Sequence, residues 1–170
     1  MSTVSPPPAR RRLLRRSGAV FACSAVLFGA ACPPLGAVEA DWKVVTLAGT
    51  GVPGSAGDGG PGVAAQLNAP AGIVWDAAGN LYIADAREHR VRRLSPNGSI
   101  ATIAGTGAAG FAGDGGPATA ARLSSPRGLA VGPAGELYIA DQGNGRVRKV
   151  DSVGVITTFA GGGSGRFGGF

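Results

Sequence analysis

The sequence contains few cysteine, histidine and aromatic residues, and this scarcity limits the kinds of catalytic and metal-binding site that it can form. Both cysteines, Cys23 and Cys32, lie near the N-terminus, so residues 41–170 have none for a disulfide or a zinc site. His89 is the single histidine, so it is the one candidate base for a catalytic triad, and a metal site built from several histidines is excluded. No GxSxG elbow and no GKS or GKT phosphate loop is present.

Positive charge is concentrated at the N-terminus. The chain has 16 Lys and Arg against 10 Asp and Glu, but five of the arginines fall within residues 10–16. From Asp41 onward, 11 basic residues face 9 acidic ones, a net charge of +2. Because a nucleic-acid surface needs clustered Lys and Arg, we expect no nucleic-acid partner.

The first 40 residues have the layout of an export signal. An arginine-rich start precedes a 14-residue apolar run, Gly18 to Ala31, and a segment of small residues ending at Ala40. The run is shorter than the roughly 20 residues of a membrane-spanning helix, which favours a cleaved signal over an anchor. Arg10 and Arg11 leave Sec and twin-arginine export both open, and cleavage after Ala37 and after Ala40 both fit. We therefore expect a periplasmic or secreted protein, with no membrane contact after cleavage.

An internal repeat of 56 residues organises the rest of the chain. Residues 43–98 and 99–154 are identical at 28 of 56 positions, and residues 155–170 begin a third unit. Glycine and proline, 31 and 12 in number, recur with this period, so they mark turns rather than disorder. Residues 41–170 are accordingly predicted to be one domain of repeated units.

Each repeat predicts four short strands joined by tight turns. Strand-forming segments lie at 72–76, 81–85, 90–94 and 99–105, and again at 128–132, 137–141, 146–150 and 155–161. Their two- to five-residue connections suit antiparallel neighbours. The fold class predicted is all-β: two complete four-stranded β-propeller blades, plus an extra outer strand at Val44 to Ala48, in an incomplete ring. Residues 63–67 and 119–123 predict one helical turn each.

The repeat resembles the NHL-repeat β-propeller family. Pro126, Gly128, Asp141, Asn144 and Arg146 match its pattern, as does the LYIAD strand; the GDGGPA loop is typical of secreted bacterial members and of the teneurin propeller. The first repeat departs from the pattern at Glu88, where asparagine is usual. The resemblance implies a six-bladed or similar ring used as a binding platform. Two complete blades fall short of the usual four to eight, so we expect a truncated chain with further blades missing, or a homo-oligomeric ring.

No catalytic, cofactor-binding or metal-binding residue is predicted. Asp58 and Asp114 each offer one carboxylate per loop, which is too few for calcium, so we expect them to bind backbone amides in glycine-rich turns. Asp85 with Arg90, and Asp141 with Arg146, are expected to pair across a hairpin. His89 is expected to be exposed in a loop.

The aromatic and basic strand residues receive structural interpretations. Trp75 and Tyr82 are expected to pack between blades. Alternation along the two basic strands is expected to put some of their charged residues outside, as a solvated face rather than a polyanion site; these residues are Arg90, Arg92, Arg93, Arg146, Arg148 and Lys149.

The function expected is a non-catalytic binding or scaffold module for an unidentified protein or small ligand, with no cofactor. The alternative is part of a six-bladed lactonase- or lyase-like enzyme whose metal site lies in missing blades. The two predicted first strands of this chain offer only Asp76 toward such a site.

Overall fold

A computed structural model describes residues 43–162, and its strands follow the repeat; a 3₁₀ turn at Gln142–Asn144 occurs in the second repeat alone. Four strands form each of two antiparallel meanders: β1 (Pro70–Trp75), β2 (Leu81–Asp85), β3 (Arg90–Leu94) and β4 (Ile100–Ala104), then β5 (Pro126–Val131), β6 (Leu137–Asp141), β7 (Arg146–Val150) and β8 (Ile156–Gly161). The strand order is sequential in both sheets. We call β1–β4 blade 1 and β5–β8 blade 2. The predicted all-β, blade-type fold is confirmed.

The middle strands of each blade begin and end where the sequence pattern places them. LYIAD and the following RVR segment are short runs rich in strand-forming residues between tight turns, and their predicted bounds equal those of β2, β3, β6 and β7. The first strands start two residues earlier than predicted, at Pro70 and Pro126. A single 3₁₀ turn lies in each long loop, at Gly62–Ala64 and Ala118–Ala120, close to the predicted helical turns.

Each long loop binds to the outer strand of the blade that follows it. In the first loop, Gly59 N–H donates to Ile100 O at 2.8 Å, and Ile100 N–H donates to Gly60 O at 3.0 Å. The second loop repeats this with Gly115, Gly116 and Ile156 at the same distances. The long connection is therefore an ordered part of its own blade.

The two blades share one apolar core. Val91 and Ala104 of blade 1 pack with a buried set from the second loop and blade 2, namely Ala118, Ala121, Leu123, Leu137, Ile139, Val150 and Ile156. Strands β1 and β5 lie side by side. A side chain at Gly72 would collide with the carbonyl of Arg127, so this close approach requires glycine. Ala48 and Leu67 cover a second cluster on the other side of blade 1.

The extra outer strand predicted at Val44 to Ala48 is wrong for the described residues. Residues 43–48 form no strand, and the side chain of Val44 is fully exposed. A strand needs a neighbour for its backbone hydrogen bonds, and no strand of residues 43–162 lies beside this segment. The predicted export signal, residues 1–40, lies outside the described residues. Residues 43–162 contain no helix long and apolar enough to cross a bilayer.

Candidate functional site

A buried arginine on the third strand of each blade holds the long loop to the sheet. In blade 1, Arg92 Nη2 lies 2.7 Å from Asp58 Oδ1, and Arg92 Nη1 donates to Gln66 O at 3.3 Å. In blade 2, Arg148 Nη2 lies 2.6 Å from Asp114 Oδ1. Both arginine side chains are completely buried. Because a buried charge is costly without a partner, these ion pairs fix the loops in place.

The structure corrects the prediction for the two aspartates and shows which basic residues of the strands are not outside. Asp58 and Asp114 bind arginine side chains rather than backbone amides, because an unpaired guanidinium would otherwise be buried. Arg92 and Arg148 do not belong to a solvated face. Asp58 and Asp114 occupy equivalent positions of the two repeats, and so do Arg92 and Arg148. This repeated aspartate and arginine were the sequence signal for the ion pair.

Asp85 and Asp141, each buried, bind the loop through a backbone amide. Asp85 Oδ1 accepts from Asn68 N–H at 2.7 Å, and Asp141 Oδ1 accepts from Ser124 N–H at 2.6 Å. Asp85 faces Arg90 and Asp141 faces Arg146 in the strand register. Their nearest cations are nevertheless Arg92 at 3.8 Å and Arg148 at 3.6 Å. The expected cross-hairpin ion pairs are therefore wrong.

Arg90 instead contacts the loop that follows blade 1, and Arg146 contacts the same long loop, which precedes blade 2. Arg90 Nη2 donates to Thr106 O at 2.9 Å. The guanidinium of Arg146 lies 3.6 Å from the ring centroid of Phe111, a cation–π contact. Residues two apart on a strand share a face, and the guanidinium of Arg148 accordingly also lies close to Phe111, 4.8 Å from the ring centroid.

The second carboxylate oxygen distinguishes the two blades. Asn144 Nδ2 donates to Asp141 Oδ2 at 2.7 Å. Glu88 replaces this asparagine in blade 1, and Asp85 Oδ2 receives no hydrogen bond. Burial, and to a smaller extent the Glu88 charge, raises the pKa of Asp85 to about 6, against the opposing effects of Asn68 N–H and Arg92. The departure from the family pattern therefore changes the electrostatics of a buried carboxyl.

Two further carboxylates are held in their charged form. Burial raises the pKa of Asp114, but hydrogen bonds from Thr158 and Arg148 outweigh it and lower the pKa overall. Asp76 closes the β1–β2 turn, accepting from Asn80 N–H at 2.8 Å and Tyr82 Oη at 3.1 Å. Burial is again outweighed by these bonds, and the pKa of Asp76 is lowered. Asp76 is thus engaged in a turn.

His89 and Trp75 are not where the sequence analysis placed them. His89 is half-buried, and its Nδ1 accepts a hydrogen bond from Ser125 N–H at 3.0 Å, so it joins the two blades. Its φ of 54° is the left-handed conformation that Gly145 adopts at the same position in blade 2. Trp75 is 54% exposed, whereas Tyr82 packs against the inter-blade core as predicted.

Arg87 and Arg127 are exposed residues that the sequence analysis missed. They line one cleft of about 390 Å³ between the blades, together with Ala69, Pro70, Ala71, Ala86 and Ser125. The sequence signal for them was a difference between the two repeats, because Arg87 is equivalent to Gly143 and Arg127 is equivalent to Ala71. Among residues 43–162, no group of three or more His, Cys, Asp or Glu side chains is arranged to hold a metal ion.

The chain is similar to proteins with NHL repeats. Residues 107–166 match the Teneurin NHL domain. The Arabidopsis thaliana protein SUPPRESSOR OF QUENCHING 1, chloroplastic, is 37% identical over 93 residues, which is 54% of this chain and 9% of that protein. NHL repeat-containing protein 2 of Bos taurus is 36% identical over 95 residues, 54% of this chain and 13% of that protein.

A solved structure supports the same fold. It is a structural genomics protein of unknown function from Bacteroides thetaiotaomicron, with a TM-score of 0.51 and 24% identity over 60% of this chain and 26% of its own. The chain spans between 9% and 13% of the two sequence relatives above. The repeat, the sequential four-stranded sheets and these similarities together show that the chain resembles NHL-repeat β-propeller proteins in sequence and in fold.

Proposed function

We propose that the protein is a non-catalytic binding module that engages a protein partner through the side of blade 2 that residues 43–162 leave uncovered, called here the uncovered side. The observation that carries this proposal is a set of five residues on that side: Ala130, Tyr138, Val147, Phe159 and Ala160. Their counterparts in blade 1, 56 residues earlier, all belong to the inter-blade core or pack against it. In blade 2, Phe159 is 61% exposed and Ala160 is also exposed. An apolar surface of this kind marks a protein interaction site.

The chemistry of the partner follows from the internal interface. The blade 1 counterparts are covered by the second loop and by the apolar residues of blade 2, so a blade of the same type fits the uncovered side. Such a blade is present in a second copy of the chain. Ala48, Gly49 and Thr50 already occupy the matching place on blade 1, through hydrogen bonds of 2.9 Å from Gly49 N–H to Gly62 O and from Thr50 N–H to Ala65 O. A second copy must displace this short segment, which is held by those two backbone bonds and the Ala48 contact.

A binding role also agrees with how the ionisable groups are used. Asp58 and Asp114 accept hydrogen bonds from the buried strand arginines, Asp76 accepts from Tyr82 at the β1–β2 turn, and Asp141 lies in the buried pairing with Arg148. A general acid or base must instead reach a substrate. These carboxylates therefore support the architecture rather than a reaction.

The test measures the mass of the 170-residue chain in solution by light scattering and native mass spectrometry, from low to high micromolar concentration. We expect concentration-dependent self-association that Val147→Arg abolishes. The matched control is Val153→Arg, which places the same charge on an 82% exposed turn residue outside the uncovered side. A chain that stays monomeric at high concentration, or that associates equally well as the Val147 variant, contradicts the proposal.

We further propose that the protein is exported and that residues 1–40 are removed. Their arginine-rich start and 14-residue apolar run support this. N-terminal sequencing of protein recovered outside the cytoplasm is expected to begin at Val38 or Asp41. An intact N-terminus on protein that stays in the cytoplasm contradicts export.

A further inference from the structure

We propose that Arg87 and Arg127 form an oxyanion-binding site in the cleft between the two blades, suited to a small ligand that carries a carboxylate or phosphate. Arg87 lies in the β2–β3 turn of blade 1, and Arg127 lies near the start of β5 in blade 2. Both line the cleft of about 390 Å³, whose other lining residues are alanine, proline and serine. This site is separate from the uncovered side of blade 2 and does not depend on it.

The two arginines are not required by the fold. The other repeat builds the same turn with Gly143 and the same strand start with Ala71. The ion pairs of residues 43–162 engage Arg92 and Arg148, not these two arginines. The nearby Glu88 accepts instead from Asn68 Nδ2 at 2.8 Å. Arg87 and Arg127 therefore present two exposed positive charges that no carboxylate of the described residues neutralises.

The backbone around the cleft is held in an unusual conformation. Ala69, His89 and Ser125 have φ angles of 54°, 54° and 48°, and they are all the non-glycine residues with positive φ in the described part of the chain. Ala69 and Ser125 line the cleft. Ala69 and Ser125 are equivalent positions of the two repeats, and Gly145 repeats the left-handed conformation of His89. This backbone conformation therefore belongs to the blade fold, and the cleft wall that it forms is fixed before a ligand arrives.

Hydrogen bonds hold this surface across the junction. Ser125 N–H donates to His89 Nδ1 at 3.0 Å, which ties blade 2 to the β2–β3 turn of blade 1. Arg87 N–H donates to Asn68 O at 3.1 Å, which fixes the turn to the preceding loop. These bonds fix the backbone of Arg87 and of Ser125, two residues before Arg127, so the walls of the cleft are in place without a ligand.

The ligand class follows from the lining. Guanidinium groups bind carboxylate and phosphate oxygens through paired N–H donors, and two of them favour a single oxyanion over a neutral ligand. The three alanines and the single proline, Pro70, suit a small apolar body attached to that anion. The lining contains no aromatic side chain on which bases would stack, so a single-stranded nucleic acid is a poor fit.

Calorimetric titration of the 170-residue chain with benzoate and with phenyl phosphate tests the site. We expect saturable binding of one anion per chain, and the tighter of the two probes identifies the anion class. Arg87→Gly combined with Arg127→Ala introduces the residues of the other repeat, so the fold is kept. This double variant is expected to weaken binding at least about tenfold, the effect of 1.4 kcal/mol.

The matched control is Arg122→Gln, which also removes one exposed arginine and also takes the residue of the other repeat, Gln66. It is expected to leave the affinity unchanged. Absence of saturable binding for both probes, or equal weakening by the control and the double variant, overturns the proposal. Self-association is measured separately, so loss of anion binding with intact self-association counts against this site alone.

Discussion

Replacing Glu88 by asparagine tests how one side chain sets the protonation of a buried carboxyl. Blade 2 already carries this arrangement, with Asn144 Nδ2 donating to Asp141 Oδ2 at 2.7 Å. In blade 1 the equivalent oxygen, Asp85 Oδ2, is buried without a hydrogen bond. Glu88→Asn supplies a donor and removes a negative charge, so the pKa of Asp85 is expected to fall from about 6 toward or below its ordinary value of 3.8.

The size of the effect follows from the pKa. A folded-state value of about 6 against 3.8 unfolded corresponds to about 3 kcal/mol. Between these two pH values the folded chain binds more protons than the unfolded chain at Asp85. Stability from this group is therefore fully present below pH 3.8 and is lost as the pH rises to about 6.

Glu88→Asn should recover part of that loss at neutral pH. A hydrogen bond to a charged group contributes about 1.5–3 kcal/mol, and losing the Asn68 contact to Glu88 offsets some of it. We expect a net gain of about 1–2 kcal/mol at pH 7 and almost none at pH 4.

The assay combines urea unfolding from pH 4 to 8 at fixed protein concentration with NMR titration of the Asp85 side-chain carboxyl. The reciprocal variant, Asn144→Glu, removes the donor from blade 2 and is expected to destabilise the chain at neutral pH more than at pH 4. If the Asp85 titration stays near pH 6 in the Glu88 variant, the account of this carboxyl is refuted.

Three further predictions concern the loop contacts and the left-handed turns. Asp114→Asn should cost about 1–3 kcal/mol at pH 7 by urea unfolding, because buried Arg148 loses a charged partner that is itself partly exposed; equal stability contradicts this role. The lowered pKa of Asp114 contributes stability above pH 3.8 that is lost as the pH falls through the lowered value, so the same variant should flatten the acid side of the stability profile. His89→Ala should destabilise more than His89→Gly by about 1 kcal/mol, since glycine adopts the φ of 54° without strain, and calorimetric melting that ranks them the other way rules this out.

The strands were predictable because their causes lie within a few residues. The strand segments are short, rich in Val, Ile, Leu and Tyr, and bounded by turn formers, and the two copies supported one another. The segment Val44 to Ala48 carries the same local pattern as Ile100–Ala104, yet forms no strand. Pairing depends on a neighbouring strand, which a local pattern does not specify.

The contacts of the candidate site were harder to predict because they join residues far apart in the sequence. Asp58 and Arg92 are 34 residues apart, and a charged residue in an apolar strand was interpreted as solvated. His89 was assigned to an exposed loop because the sequence does not show that Ser125 N–H of the next blade needs an acceptor. Arg87 and Arg127 line one cleft only because the two blades pack together, although each residue differs from its equivalent in the other repeat.

The bonds from Gly59, Gly60 and Ile100, and their equivalents in the second repeat, have a consequence for how such genes grow. The loop that precedes each blade is hydrogen-bonded to the last strand of that same blade, so each repeat contains both partners of these bonds. Duplicating the coding sequence of one 56-residue repeat therefore adds a whole blade together with the loop that is bonded to it. Lineages that gain or lose units by duplication and deletion would not have to remake the fastenings of the units that remain.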